Sequence, residues 1–133
     1  MYYKMWEKYL SQSIKTFPEN FWNFKMLSEN PNITWEIVQS NPDKPWSYSM
    51  LSKNPNITWE IVQANRDKPW RFFNLSQNSN ITWEIVKANP DKPWNDEIFF
   101  LNHIGKQKFI EEQLKRAVNF VSDWFIELKT NKS

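Results

Sequence analysis

The sequence has no cysteine, one glycine and one histidine, and each scarcity removes a class of chemistry. Without cysteine there is no disulfide framework, no thiolate metal site and no cysteine nucleophile. A phosphate-cradling loop or a tight nucleophile turn needs several glycines for backbone freedom, so a single glycine argues against both. The lone histidine, His103, has no second histidine to join it, and no carboxylates cluster at ligand spacing. A catalytic triad would have to use His103, and no serine stands in a nucleophile elbow. The expectation is a protein with no enzymatic activity, no metal and no cofactor. Long apolar runs are missing as well. No stretch reaches the length of a membrane span, and the opening "MYYKMWEKYL" lacks an apolar signal core. The chain is therefore expected inside the cell, without a membrane partner.

Charge of one sign is the last absence. Net charge is +2, and residues 31–102 carry seven Lys/Arg against eight Asp/Glu. No basic stripe of the kind phosphate binding wants is present, so nucleic acid is not the expected partner.

What the chain has instead is repetition. Of its 133 residues, 17 % are aromatic, and nine are tryptophan. Trp35, Trp59 and Trp83 recur at a period of 24, as do Trp22, Trp46, Trp70 and Trp94. The Leu-Ser pair keeps the same step at Leu27, Leu51 and Leu75. Such a period predicts a stacked array of supersecondary units. Each unit divides into two halves, "NPNITWEIVQS" and "NPDKPWSYSMLSK", that open alike. Proline excludes the residue before it from the α region, and asparagine tolerates a left-handed helix end. Asn30, Asn41, Asn54, Asn65, Asn78, Asn89 and Asn102 are thus predicted to terminate successive helices. Asn32, Asp43 or Thr34 would supply N-caps, and Pro45 would sit in a first turn.

The predicted fold is all-α: a short-helix solenoid with two short helices, α or 3-10, per 24-residue repeat. Helices so short are unstable alone and persist only by burying their apolar sides on neighbouring copies. In the first half-unit those sides are Ile33, Trp35, Ile37 and Val38; in the second they are Trp46, Met50 and Leu51. The reading is one domain over 1–133, with an N-terminal cap helix at 1–16, tandem repeats at 17–102 and a C-terminal amphipathic helix at 103–133. The cap helix gathers Met5, Trp6, Tyr9 and Leu10 on one side. The tail, from Lys106 to Lys129, places Ile110, Leu114, Ala117, Val121, Trp124 and Leu128 at alternating steps of four and three, widened by Phe109, Val118, Phe120 and Phe125. That stripe suits either a cap over the last repeat or a docking helix, with a homodimer through residues 106–129 as one outcome.

The stretch "LSKNPNITWEIVQANRDKPW" resembles the tandem repeats of mimivirus-like giant DNA viruses, and the resemblance covers residues 17–102. The unit length and Asn-Pro-Asn turn are also similar to the leucine-rich repeat variant, whose fold is a right-handed superhelix of alternating α and 3-10 helices. Here Trp and Ile stand at many expected Leu and Val positions, and no cysteine cluster precedes the repeats. The viral resemblance implies a host or viral protein as partner, and the host cytoplasm or the virion as location. It supplies no catalytic residues.

Several ladders follow from the repeat itself. Glu36, Glu60 and Glu84, and the Asp43–Lys44, Asp67–Lys68 and Asp91–Lys92 neighbours, are read as solvated faces. The asparagine ladders are read as side chains that satisfy turn backbone. The tryptophans are read as packing between repeats rather than stacking surfaces for bases. One window varies while the rest is held: "NFKM", "SYSM", "RFFN" and "NDEI" at 23–26, 47–50, 71–74 and 95–98. Within it Tyr48, Arg71, Phe72, Phe73, Asn95 and Glu97 are the candidate partner-binding residues, with Arg and aromatics suited to an interaction hot spot. The expected function is a non-catalytic repeat scaffold for protein–protein interaction. The alternatives are a nucleic-acid-binding repeat module, or a structural protein that self-assembles through its C-terminal helix.

Overall fold

Proline and asparagine cut the chain into pieces too short to stand as independent helices, and every described element is such a piece or a terminal helix. The computed structural model describes residues 2–103 and 107–131, with side chains described over 5–103 and 111–131. The elements are α1 (Tyr2–Thr16), a 3-10 turn (Glu19–Phe21), α2 (Phe24–Glu29), α3 (Trp35–Ser40), α4 (Tyr48–Leu51), α5 (Trp59–Ala64), α6 (Phe72–Leu75), α7 (Trp83–Ala88), α8 (Asp96–His103) and α9 (Gln107–Thr130). No strand occurs among the described residues. The fold is all-α, with the long C-terminal helix that the sequence predicts. Both halves of each copy form α-helix, and the 3-10 geometry is found ahead of α2. Lys106, where the sequence starts the tail helix, lies outside the described residues, as do the side chains of Phe109 and Ile110.

The helix starts are set by hydroxyls. Thr34, Thr58 and Thr82 accept hydrogen bonds from the backbone N–H of Ile37, Ile61 and Ile85 at 3.3, 3.4 and 3.3 Å. Asn23 and Ser47 cap α2 and α4 in the same way. The predicted caps Asn32 and Asp43 do not serve, and Pro45 precedes α4 rather than opening it. The second-half helix begins later than expected because "NPDKPW" is spent on turns, with Lys44 N–H donating to Asn41 O and Trp46 N–H to Lys44 O.

The helix ends also differ in mechanism from the prediction. Asn30, Asn41, Asn65 and Asn89 do terminate α2, α3, α5 and α7, but each keeps a negative φ. No left-handed cap is needed, because the Asn41, Asn65 and Asn89 amides donate back to the carbonyls of Ile37, Ile61 and Ile85, each at 2.8 Å. The side chain satisfies the orphan carbonyl that a left-handed turn would otherwise serve. Asn54 and Asn78 lie two residues beyond the C-caps Ser52 and Ser76. Asn102 stands inside α8.

Consecutive copies (30–53, 54–77 and 78–101) are joined by equivalent hydrogen bonds. The buried Asn54 amide donates to Ser28 O and Asn30 O, both at 2.9 Å. Asn78 repeats this one copy later, to Ser52 O at 3.0 Å and to Asn54 O and Ile57 O at 3.1 Å. Asn56 and Asn80 each bridge two more carbonyls of the preceding copy, Pro31 O and Ile33 O, then Pro55 O and Ile57 O. A parallel ladder runs through Ser28, Ser52 and Ser76, all fully buried. Their hydroxyls donate to the carbonyls of Phe24, Tyr48 and Phe72. They accept from the backbone N–H of Ser47, Arg71 and Asn95 at 2.9, 3.0 and 3.0 Å. The next position in the ladder is Phe100, where serine is no longer used.

The apolar core follows the same step. Ile33, Ile57 and Ile81 are buried in line, as are Leu51, Leu75 and Phe99, and Val38, Val62 and Val86. At the amino end α1 lies against α3. Ile14 of α1 is fully buried, and the Ser11 hydroxyl accepts from the Asn41 amide at 3.2 Å. Most of the apolar side predicted for this helix points outward instead: Met5, Trp6 and Tyr9 are 51, 72 and 62 % exposed, while Leu10 is half-buried. One indole in this region lacks a partner. Trp46, Trp70 and Trp94 donate to the carbonyls of Asn41, Asn65 and Asn89, whereas the buried Nε1 of Trp22 donates to nothing.

The chain divides into two compact units, residues 1–102 and 103–133. In the second unit the described side chains of α9 leave their apolar stripe in solvent, with Leu114, Val118, Val121, Trp124 and Phe125 between 47 and 65 % exposed.

The cross-copy amides should dominate stability within residues 1–102. Asn78→Ala strands buried carbonyls and is expected to lower unfolding free energy by about 3 kcal/mol. Asn30→Ala removes only a local bond to Asn32 N–H and should cost roughly 0.5 kcal/mol. Urea denaturation of the two variants side by side checks the difference.

Candidate functional site

The variable window is the start of each second-half helix, and its four positions have four different jobs. The first is the N-cap. Asn23 and Ser47 accept from the N–H of Met26 and Met50, and Asn95 accepts from Ile98 N–H at 2.8 Å. Arg71 occupies the same position and makes no side-chain cap. Its guanidinium is exposed, while its backbone N–H is held by Ser52.

The second position is an aromatic that clasps the next copy. Phe24, Tyr48 and Phe72 meet Trp46, Trp70 and Trp94 edge-on, with ring centroids 5.2, 5.0 and 4.9 Å apart. Trp70 and Trp94 also receive Trp35 and Trp59 of the preceding copy at 5.8 and 5.3 Å. Trp70 and Trp94 are therefore each gripped by two aromatics of the copy before them, Trp46 by Phe24 alone, and all three indole N–H groups are already engaged. Tyr48 and Phe72 belong to this internal packing. Asp96 stands where a fourth clasp would be.

The third position faces water in three of the four copies, at Lys25, Phe73 and Glu97; Phe73 is 42 % exposed. The fourth position is mixed, since Asn74 is buried and its amide donates to Ser49 O and Oγ. Of the six candidates, Arg71, Phe73 and Glu97 are presented outward, Tyr48 and Phe72 hold neighbouring copies together, and Asn95 caps α8. The window varies in sequence partly because its caps and clasps admit several residue types, so variation alone overstated its availability to a partner.

The buried serines were missed by sequence reasoning. Their signal was present in the Leu-Ser pair, but the pair was read through leucine, the residue that a core argument looks for. The charge ladders lie at the surface: Lys68 and Lys92 reach the adjacent Asp67 and Asp91 at 3.7 and 3.3 Å, and Lys53 reaches Glu29 at 3.4 Å. Exposed pairs of this kind add little to stability. No group of three His, Cys, Asp or Glu positioned to hold a metal occurs among the described residues. His103 is buried at the end of α8.

One titration is shifted by the packing. Burial pushes the Tyr48 phenol above its ordinary value of 10.0; Lys68, whose Nζ lies 5.9 Å from the ring, opposes the shift, and Asp67 adds to it. The folded state then holds this proton more tightly than the unfolded chain does. The resulting stability is complete below about pH 10 and is lost as pH rises through the folded value. Tyr48→Phe, which installs the residue type found at Phe24 and Phe72, should remove that part of the alkaline loss; stability measured from pH 8 to 11 checks it. Arg71→Asn should restore the missing cap and raise stability by about 1 kcal/mol, read by thermal unfolding.

Comparison with known proteins finds no matching family model, no curated relative and no solved structure of similar fold.

Proposed function

We propose that this chain is a non-catalytic, solenoid-type repeat scaffold that mediates protein–protein interaction. The observation that carries the reading is the apolar stripe of α9. Leu114, Val118, Phe120, Val121, Trp124, Phe125 and Leu128 are each between 39 and 73 % exposed. A helix of 24 residues is about 36 Å long, long enough for several heptads of contact. Burying half of these side chains would contribute on the order of 6 kcal/mol or more. A stripe of this size marks a surface that another chain covers. The outward residues Arg71, Phe73 and Glu97 offer a second contact region of mixed character.

Self-assembly through α9 is the second reading, and the spacing of its seam favours it. Leu114, Ala117, Val121, Trp124 and Leu128 keep the alternation of a coiled coil, while Val118, Phe120 and Phe125 broaden the seam. The resemblance of 17–102 to giant-virus repeats supports a host or viral protein where the partner is not a second copy. Near-balanced charge across 31–102 weighs against a nucleic-acid module. No helix among the described residues is long and apolar enough to cross a membrane.

Light scattering coupled to size exclusion separates the readings. Self-assembly requires a mass above 16.2 kDa that rises with concentration. Leu114→Asp combined with Val121→Asp should return the chain to that monomer mass with residues 1–102 still folded by dichroism. A parent chain that is monomeric at every concentration, and no more prone to bind an apolar dye than the double variant, would overturn the role given to α9.

A further inference from the structure

The middle copy departs from its neighbours at a position that encloses a cavity. Both arginines of the repeats, Arg66 and Arg71, lie in this copy. Arg66 stands where the flanking copies have Pro42 and Pro90. Local structure does not ask for it. Asn65 before it has φ −129° and ψ 49°, close to the −132° and 59° of Asn41, which precedes a proline. Arg66 makes no ion pair among the described residues. A residue that abandons the local rule without a folding gain is where binding chemistry is sought.

The cavity, of about 310 Å³, lies between the second and third copies. Its apolar wall is aromatic, from Trp59, Trp70 and Phe72, and its rim is cationic, from Arg66, Lys68 and Lys92. No carboxylate lines it; Asp67 and Asp91, paired with the two lysines, sit outside the lining and leave the guanidinium as the uncommitted charge. The tryptophans are preorganised, since Trp59 is 8 % exposed and the Trp70 N–H is fixed on Asn65 O at 2.7 Å. A flat ring fits against such a wall by stacking or edge contact. A phosphate on that ring would meet a guanidinium, whose planar fork suits phosphate oxygens.

We propose that this cavity is a binding site for an aryl phosphate, the ring held among Trp59, Trp70 and Phe72 and the phosphate on Arg66 with Lys68 and Lys92. A free aryl phosphate and a phosphotyrosine borne on a peptide present this same chemistry.

The test is calorimetric titration of the full chain with phenyl phosphate, a short phosphotyrosyl peptide and inorganic phosphate. Arg66→Pro is the matched variant, because its backbone N–H makes no hydrogen bond among the described residues and proline already occupies the equivalent positions. Saturable binding of phenyl phosphate is expected, at least tenfold tighter than inorganic phosphate. Arg66→Pro should weaken it about tenfold, the loss of one charge-assisted hydrogen bond, with the unfolding midpoint of the free protein unchanged. Tighter binding of the peptide than of phenyl phosphate assigns the site to a modified protein, and equal or weaker binding assigns it to a free metabolite. Absence of saturation with both aryl probes, equal affinity for inorganic phosphate, or an unchanged affinity in Arg66→Pro would each overturn the proposal.

Discussion

Side-chain amides that bond backbone carbonyls one copy away are the constraint on which the repeat region depends. The turn between half-units exposes carbonyls that no helix or strand can satisfy, because the helices are four to six residues long and strands are absent from the described residues. Unsatisfied and buried, those carbonyls would oppose stacking. Asn54, Asn56, Asn78 and Asn80 remove that opposition by reaching across the joint. The same asparagines fold their own turns, since the N–H of Asn56 and Asn80 is accepted by the side-chain oxygens of Asn54 and Asn78. One side chain thus sets the local turn and the spacing to its neighbour. The first copy makes the dependence visible: Asn30 keeps the local bond alone and is exposed.

Around this polar axis the serines and tryptophans act as two further couplings. The serine hydroxyl both closes its own helix and receives the first N–H of the next second-half helix, so a small side chain with one donor and free lone pairs is required. The tryptophans couple at longer reach, with Trp70 and Trp94 each held by two rings of the previous copy. These couplings are nearest-neighbour in kind, as expected when a structure is assembled by repetition. They also explain why few residues of the variable window are free for a partner. Caps and clasps take most of it, and what they leave is the outward edge at Arg71, Phe73 and Glu97.

The functional weight therefore moves to features that the repeat does not use. The apolar stripe of α9 is one, and its exposure is the strongest reason to read the chain as a scaffold for another protein chain. The cavity beside Arg66 is the other. It exists because two copies meet there with aromatic walls, and Arg66, standing where the flanking copies have proline, joins Lys68 and Lys92 on its rim.

Much of this architecture was legible in one dimension. The period of 24, the helical class and the long tail helix all follow from recurrence, proline placement and apolar spacing. These are properties of neighbours along the chain. Which amide a side chain would serve was not legible. Asparagine can end a helix through a left-handed turn or through its own amide, and only the packed geometry decided for the amide. Nor could spacing decide which residues of α1 would be covered: Met5, Trp6, Tyr9 and Leu10 form the expected stripe, but Ile14 is the one fully buried. The candidate site divided for the same reason: Tyr48 and Phe73 are both aromatic in sequence, but one lies against Trp70 and the other in solvent. Recurrence determined that the copies exist and share one helical class; the choice of partner for each polar group and ring needed the third dimension, because it depends on atoms some 24 residues apart.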